Sequence, residues 1–256
     1  MIIDVGTTAL EVARALPATF EGKARMMVQN AMAAAAAAHA AGAHLHDIRQ
    51  GLRSFTTSIY QAPGRLNVLE LDGVKVIIDY AHNAAGLETL GDFVERLTSD
   101  PTSGERPGEA SWTANLRVAV VATAGDRRDE DMRELGEVAA RYFDDVIIRE
   151  DRNMRGRPRG DAARLILEGV EVAIAKGLAR AGSAEIVLDE MEAARRALDR
   201  SRPGDLVVLC VDYATDVYRE LEKRSGVAAP DVLGAHEEGK LQAVGGDPDL
   251  IDLPPR

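Results

Sequence analysis

From Leu66 to Val211 the chain alternates short apolar runs with longer amphipathic ones, and that alternation restricts it to few folds. The first pair, 66–71 and 74–79, flanks Asp72-Gly73. Both residues of such a dipeptide tolerate positive φ, so it joins antiparallel strands in a two-residue turn. Beyond it the sequence predicts helix 87–97, strand 118–122, helix 131–142, strand 146–148, helix 162–176, strand 185–188, helix 191–198 and strand 206–211. Strand, helix and strand in succession make parallel crossovers, so the expected fold class is α/β, a mostly parallel sheet covered by helices on both faces.

Residues 1–55 read differently. A strand-like piece (Ile2 to Val5) and Pro17 precede a stretch of helical character, 22–52, in which Asn30 stands ahead of the run Ala33 to Ala38 and Gly42 and Gly51 are candidate terminators. Alanine has the highest helix propensity and lets backbones approach, so this run predicts a tightly packed helix. The segment is too short for a core of its own and is expected to finish a larger upstream domain. Pro63-Gly64 marks the break into a second domain, 56–225. Residues 98–114, rich in Ser, Thr, Gly and Pro, predict a surface loop, and 226–256 lack periodicity and predict a disordered tail.

Charge and cysteine content narrow the partners. With 31 basic and 42 acidic residues the net charge is −11, which repels polyanions and argues against nucleic acid. Cys210 is the only cysteine, so no intrachain disulfide forms, and its apolar run, 206–211, predicts a buried thiol. No stretch approaches the roughly 20 apolar residues of a spanning helix, and the first ten residues lack a signal-peptide pattern. The expected location is cytoplasmic, with no membrane partner.

Ligands of doubly wound sheets gather outside the carboxyl ends of the strands. Asp79-Tyr80-Ala81-His82-Asn83 follows one strand and precedes a helix, which sets a carboxylate, an aromatic ring and an imidazole at that rim. The plainer alternative is that Asp79 or Asn83 only caps the helix beginning near Gly86. Asn30 has a similar alternative as a helix N-cap, and Arg65 as a solvated turn residue. The loop Arg149 to Gly160 carries five arginines in twelve residues against the acidic trend, and also follows a strand. Gly125-Asp126-Arg127-Arg128-Asp129 follows another, and its acids suit the positive end of the next helix. His39, His44 and His46 lack a fourth ligand, so no zinc is assigned.

Taken together, Asn30-Ala31-Met32-Ala33-Ala34, Pro63-Gly64-Arg65 and Asp79-Tyr80-Ala81-His82-Asn83 resemble, in order and spacing, the Mur ligase family. Within it the chain is most similar to the C-terminal half of the cyanophycin synthetases, a likeness that includes Ile48-Arg49-Gln50-Gly51-Leu52 and Phe55 and covers roughly residues 15–220. The resemblance implies a Rossmann-like C-terminal domain preceded by a helical remnant of a central ATP-binding domain, with ATP lying between the two. It places Asn30 near the adenine, where an amide can donate and accept. It places Arg65 at the nucleotide phosphates, which a planar guanidinium fork suits, Asp79 at the ribose hydroxyls, and His82 against the nucleotide. Arg65 and His82 form the implied catalytic pair. The loop after the third parallel strand is similar to the family's amino-acid selector, so Arg152, Asn153 and Arg155 are expected to grip a substrate carboxylate, with Glu150 or Asp151 available to a cationic side chain. Asp126 and Arg128, in a stretch that resembles the family's Gly-Asp-Arg-Asp, are further candidates.

The implied reaction is ATP- and Mg²⁺-dependent. A carboxylate receives the γ-phosphoryl group, and an amine then displaces phosphate from the acyl phosphate. The likeness to cyanophycin synthetases implies arginine as the amino-acid substrate and the β-carboxylates of poly-aspartate, an acidic peptide, as acceptor. A homo-oligomer is the expected assembly. Nowhere does the chain contain G-x-x-x-x-G-K-[ST]. The expectation is therefore an incomplete ligase, inactive alone, that needs an upstream segment to supply the phosphate loop and most of the Mg²⁺ ligands. The competing expectation is a non-catalytic module that binds nucleotide or a partner ligase.

Overall fold

The computed structural model describes residues 2–5, 8–98 and 114–225, with side chains from residue 10 onward. The expected tail, 226–256, and nearly all of the expected loop, 98–114, lie outside these residues. The first unit opens with a hairpin of β1 (Ile2–Val5) and β2 (Thr8–Val12), followed by helices α1 (Arg25–Ala40) and α2 (Leu45–Ser54). A small cluster, including Leu10, Leu16, Val28, Ala35 and Ile48, holds it together.

Then come β3 (Asn67–Leu71), β4 (Val74–Asp79), α3 (Ala84–Thr98), β5 (Arg117–Val121), α4 (Asp129–Tyr142), β6 (Asp145–Ile148), α5 (Asp161–Ala175), β7 (Ser183–Ile186), α6 (Glu190–Arg200), β8 (Leu206–Cys210) and α7 (Ala214–Ser225). The six strands order as β3-β4-β8-β5-β6-β7. β3 is antiparallel to β4, and every other neighbouring pair is parallel. Asp72 and Gly73 take φ of 50° and 79° and close the expected hairpin.

Period-two alternation divides the core. In β8, Leu206, Val208 and Cys210 pack toward α3, α4 and α5, while Val207, Leu209 and Val211 at and just beyond its end pack toward α6 and α7. All six are buried, and each large side chain there contributes on the order of 1.5–3 kcal/mol of transfer free energy. α4 and α5 touch backbone to backbone through glycines. A Cβ on Gly136 would stand 2.0 Å from the Ile166 carbonyl oxygen, and one on Gly169 would stand 2.0 Å from that of Arg133.

β4, β5, β6 and β8 run parallel, so the loops that follow them open on one edge. The chain leaves β4 for β5, proceeds outward to β6 and β7, and returns to place β8 between β4 and β5. That reversal makes a crevice at the carboxyl edge, with Asp79-Asn83 on its rim.

Four local expectations are corrected. Asn30 lies inside α1, five residues past its start, and is not an N-cap. Gly51 lies inside α2, whereas Gly42 does end α1, with φ 93°. The alanine run is not packed tightly: Ala35 is buried, but Ala33, Ala34, Ala36 and Ala37 are exposed. β7 sits two residues earlier than its apolar residues suggested, because Ser183 pairs in register with Asp145 on an edge strand whose faces are only half covered. β2 and α7 were not anticipated.

Candidate functional site

A cleft of about 890 Å³ lies between α1–α2 and the crevice rim. Its walls are mostly apolar, with Met27, Ala31, Phe55 and Leu90 among them, and into it come four of the expected residues: Asn30, Arg65, Asp79 and His82.

The turn that carries Arg65 is fixed from below. Asn67 is fully buried; its Oδ1 accepts the N–H of Gly64 at 2.7 Å, and its Nδ2 donates to the carbonyls of Thr57 and Ala62 at 2.6 and 2.8 Å. Leu66 takes φ 53°, a strained conformation for leucine, and its N–H is held by Asp79 Oδ2 at 2.8 Å. The Arg65 guanidinium lies over the Tyr80 ring, 5.0 Å from its centroid, and no carboxylate pairs with it among the described residues. A cation parked on an aromatic face leaves its N–H edges free for an anion.

Asp79 also accepts the N–H of Ala81 at 2.8 Å. Each oxygen keeps a second acceptor direction, enough for a pair of hydroxyls. Burial raises the Asp79 pKa from its ordinary value, and the bonds from Leu66 and Ala81 and the nearby Arg65 oppose that rise. Capping falls to Asn83 instead, whose Oδ1 accepts the N–H of Gly86 at 2.8 Å. His82 Nδ1 lies 3.0 Å from the Tyr80 carbonyl. A carbonyl only accepts, so Nδ1 carries a proton, and Nε2 has no partner among the described residues. Thr123 beyond β5 fixes the backbone by donating to the His82 carbonyl at 2.8 Å. Among the described residues the Asn30 amide reaches only Met27 Sδ, at 3.7 Å, which leaves it available to a ligand.

Arg152, Asn153 and Arg155 do not line this cleft. They belong to the loop after β6, where the arginines mostly fasten the loop to its neighbours. Arg149 is buried and reaches the end of β8. Arg155 pairs with Asp126 at 2.8 Å. Arg157 donates to the Gly125 and Arg127 carbonyls at 2.8 and 3.0 Å and pairs with Asp129. Arg159 donates to the Leu188 carbonyl at 3.1 Å. Asn153 Oδ1 accepts the Arg155 N–H at 3.0 Å, turning the loop. Gly125 makes the contact possible, since a Cβ there would stand 2.1 Å from the Met154 carbonyl oxygen. Glu150 is not open to a cationic substrate, because its carboxylate accepts the N–H groups of Gly160 and Ala163 at the start of α5. Asp126 is taken by Arg155, and Arg128 is exposed and pairs with Asp131.

Two acidic groups not anticipated from the sequence, Glu190 and Asp212, join the expected Asp151. Around Arg149 Nη1 stand Asp151 at 3.2 Å, Glu190 at 3.1 Å and Asp212 at 3.0 Å. Glu190 in turn accepts the N–H groups of Asp212 and Tyr213. Burial, then the neighbouring Asp212, push Asp151 up to about 7, while Arg149 opposes this. Asp212 is held below its ordinary value by Arg149 and Asp151 against its own burial. Asp212 and Tyr213 follow a strand at the same rim as Asp79, which was the available clue.

The model of the Mur ligase glutamate ligase domain matches residues 64–211. The chain is 38% identical over 221 residues to the cyanophycin synthetase of Crocosphaera subtropica, covering 86% of this chain and 23% of that protein. It is 40% identical over 218 residues to the cyanophycin synthetase of Nostoc sp., covering 85% and 22%. The chain thus spans less than a quarter of the length of these relatives. Its fold is similar to that of a murein peptide ligase from Psychrobacter arcticus, with TM-score 0.51, 17% identity, and coverage of 78% of this chain and 36% of that one. No helix among the described residues is long and apolar enough to cross a membrane.

Proposed function

The chain belongs to the Mur ligase family, and from that premise we propose that it is the nucleotide-closing part of an ATP-dependent ligase that joins a carboxylate to an amine. Residues 1–55 then complete an upstream ATP-binding domain and 56–225 form the domain that closes over the nucleotide. The observation that carries this reading is the cleft that brings Asn30, Arg65, Asp79 and His82 together with an arginine unpaired by any described carboxylate.

Each residue has a part its geometry supports. The Asn30 amide, with only a weak sulfur contact, addresses a base edge, and the apolar wall takes the flat face of the base. Asp79 accepts the ribose hydroxyls. Arg65 turns its free fork toward the phosphates and offsets charge as the γ-phosphoryl group moves to the acceptor carboxylate. His82 rests against the nucleotide with Nε2 open. The amine then attacks the acyl phosphate, its nitrogen forms the C–N bond, and phosphate leaves with the C–O electron pair. Mg²⁺ supplies charge neutralisation when bound with ATP. Most of its ligands are proposed to come from a segment outside these residues.

The identities of near 40% to cyanophycin synthetases support arginine as the amine and an acidic, aspartate-rich peptide as the acceptor. Arg152, Asn153 and Arg155 are proposed to face the substrate carboxylate. One fact favours a second reading: the 256 residues lack G-x-x-x-x-G-K-[ST], as a non-catalytic nucleotide-binding module would. Calorimetric titration of the chain with ATP, ADP and adenosine tests the site. Binding that weakens on Arg65→Ala for the phosphorylated ligands but not for adenosine is expected. Equal affinity of both proteins for ATP removes Arg65 from the site.

A further inference from the structure

Of the five arginines in 149–160, four hydrogen-bond to carbonyls or carboxylates of this chain, as described for Arg149, Arg155, Arg157 and Arg159. Arg152 does not. It is exposed, no described acceptor takes its N–H groups, and its guanidinium sits 4.2 Å from the centroid of the Tyr213 ring. Tyr213 is itself 41% exposed, on the loop directly after β8. Its backbone is held from inside: the N–H is taken at 3.0 Å by Glu190 Oε1, and Glu190 is buried against Arg149. The ring therefore stands on a tethered loop, with Arg152 against its face.

We propose that Tyr213 is a positioning residue of the amine-substrate site, holding the Arg152 guanidinium by its face so that its N–H edge receives the carboxylate of the incoming amino acid. Stacking on a ring restrains a long side chain while consuming none of its donors. An arginine restrained in this way loses less conformational freedom when it binds a carboxylate in the two-pronged manner its fork allows. Arg155, by contrast, must first give up Asp126. The proposal rests on the reading that this loop serves the amine substrate, and adds which arginine acts and what orders it.

The test titrates the 256-residue chain with L-arginine and with L-argininamide, which lacks the carboxylate, and follows backbone amides by NMR. The expected result is tighter binding of L-arginine than of the amide. Tyr213→Phe, which keeps the ring, should bind L-arginine as the wild type does. Tyr213→Ala should weaken L-arginine by roughly fivefold or more and leave the amide unchanged. Arg152→Lys should also lose the preference for the carboxylate. If the wild type binds L-arginine and Tyr213→Ala binds it equally well, the positioning role is wrong and the amine site stands. If the wild type binds neither ligand, the amine site itself is wrong and this inference falls with it. Amide spectra and melting temperatures of the variants show that each is folded.

Discussion

Arg149 and Cys210 meet across the carboxyl edge of the sheet, where Nε and Nη2 of the arginine donate to the cysteine carbonyl at 3.1 and 3.0 Å. A side chain leaving β6 thereby ties down the end of β8, two strands away. The remaining nitrogen faces Asp151, Glu190 and Asp212.

Removing that guanidinium would leave the buried Glu190 and its two neighbouring carboxylates without a countercharge. Arg149→Met is expected to destabilise the domain by about 3–5 kcal/mol, since losing one partner of a buried ion pair exposes the desolvation cost of the other. Urea denaturation measures it. A loss below about 1 kcal/mol would mean that the cluster is hydrated and contributes little.

The Asp151–Asp212 pair gives stability a pH dependence of definite sign. The native pKa of Asp151, about 7, lies above its ordinary value of 3.8, so the native state holds the proton more firmly than the unfolded chain. Its contribution is full below about 4 and is lost as pH rises toward 7. Asp212, lowered, contributes in the opposite sense, present above its ordinary value and lost in stronger acid. Carboxyl ¹³C titration should find Asp151 changing near neutrality, and Asp212→Asn should move that midpoint down. A midpoint near 4 in the wild type would refute the coupling.

The α4–α5 contact allows no Cβ on Gly136 or Gly169. Gly136→Ala should raise local helix propensity yet lower stability by roughly 1–3 kcal/mol, because overpacking against the Ile166 carbonyl outweighs propensity. Thermal unfolding decides it, and a stabilised variant would show that the helices separate at little cost.

The inner sheet was legible because β4, β5, β6 and β8 are apolar on both faces and the hairpin turn is spelled Asp-Gly. The order β4-β8-β5 was not, since periodicity says nothing of which strands pair. Asn30, Arg65, Asp79 and His82 were legible as a group only through the resemblance of their three motifs to the Mur ligase family, and the fold supplies the cleft that unites them. In the arginine-rich loop, composition could not separate Arg152, which carries no carboxylate or carbonyl partner among the described residues, from Arg149, Arg155, Arg157 and Arg159, which fasten the loop to its neighbours. Glu190 gave no clue and Tyr213 only its place after a strand, because a buried tether and a ring that meets an arginine are defined by contacts between distant residues.

The central claim is that this chain closes over a nucleotide bound partly by another segment. The direct measurement joins it to the ATP-binding portion of a cyanophycin synthetase and follows ATP-dependent incorporation of labelled arginine into an aspartate-rich peptide. The expected result is incorporation by the joined protein, its loss on Arg65→Ala, and no phosphate release by the 256-residue chain alone. Incorporation that survives Arg65→Ala, or ATP turnover by the chain alone, would contradict it.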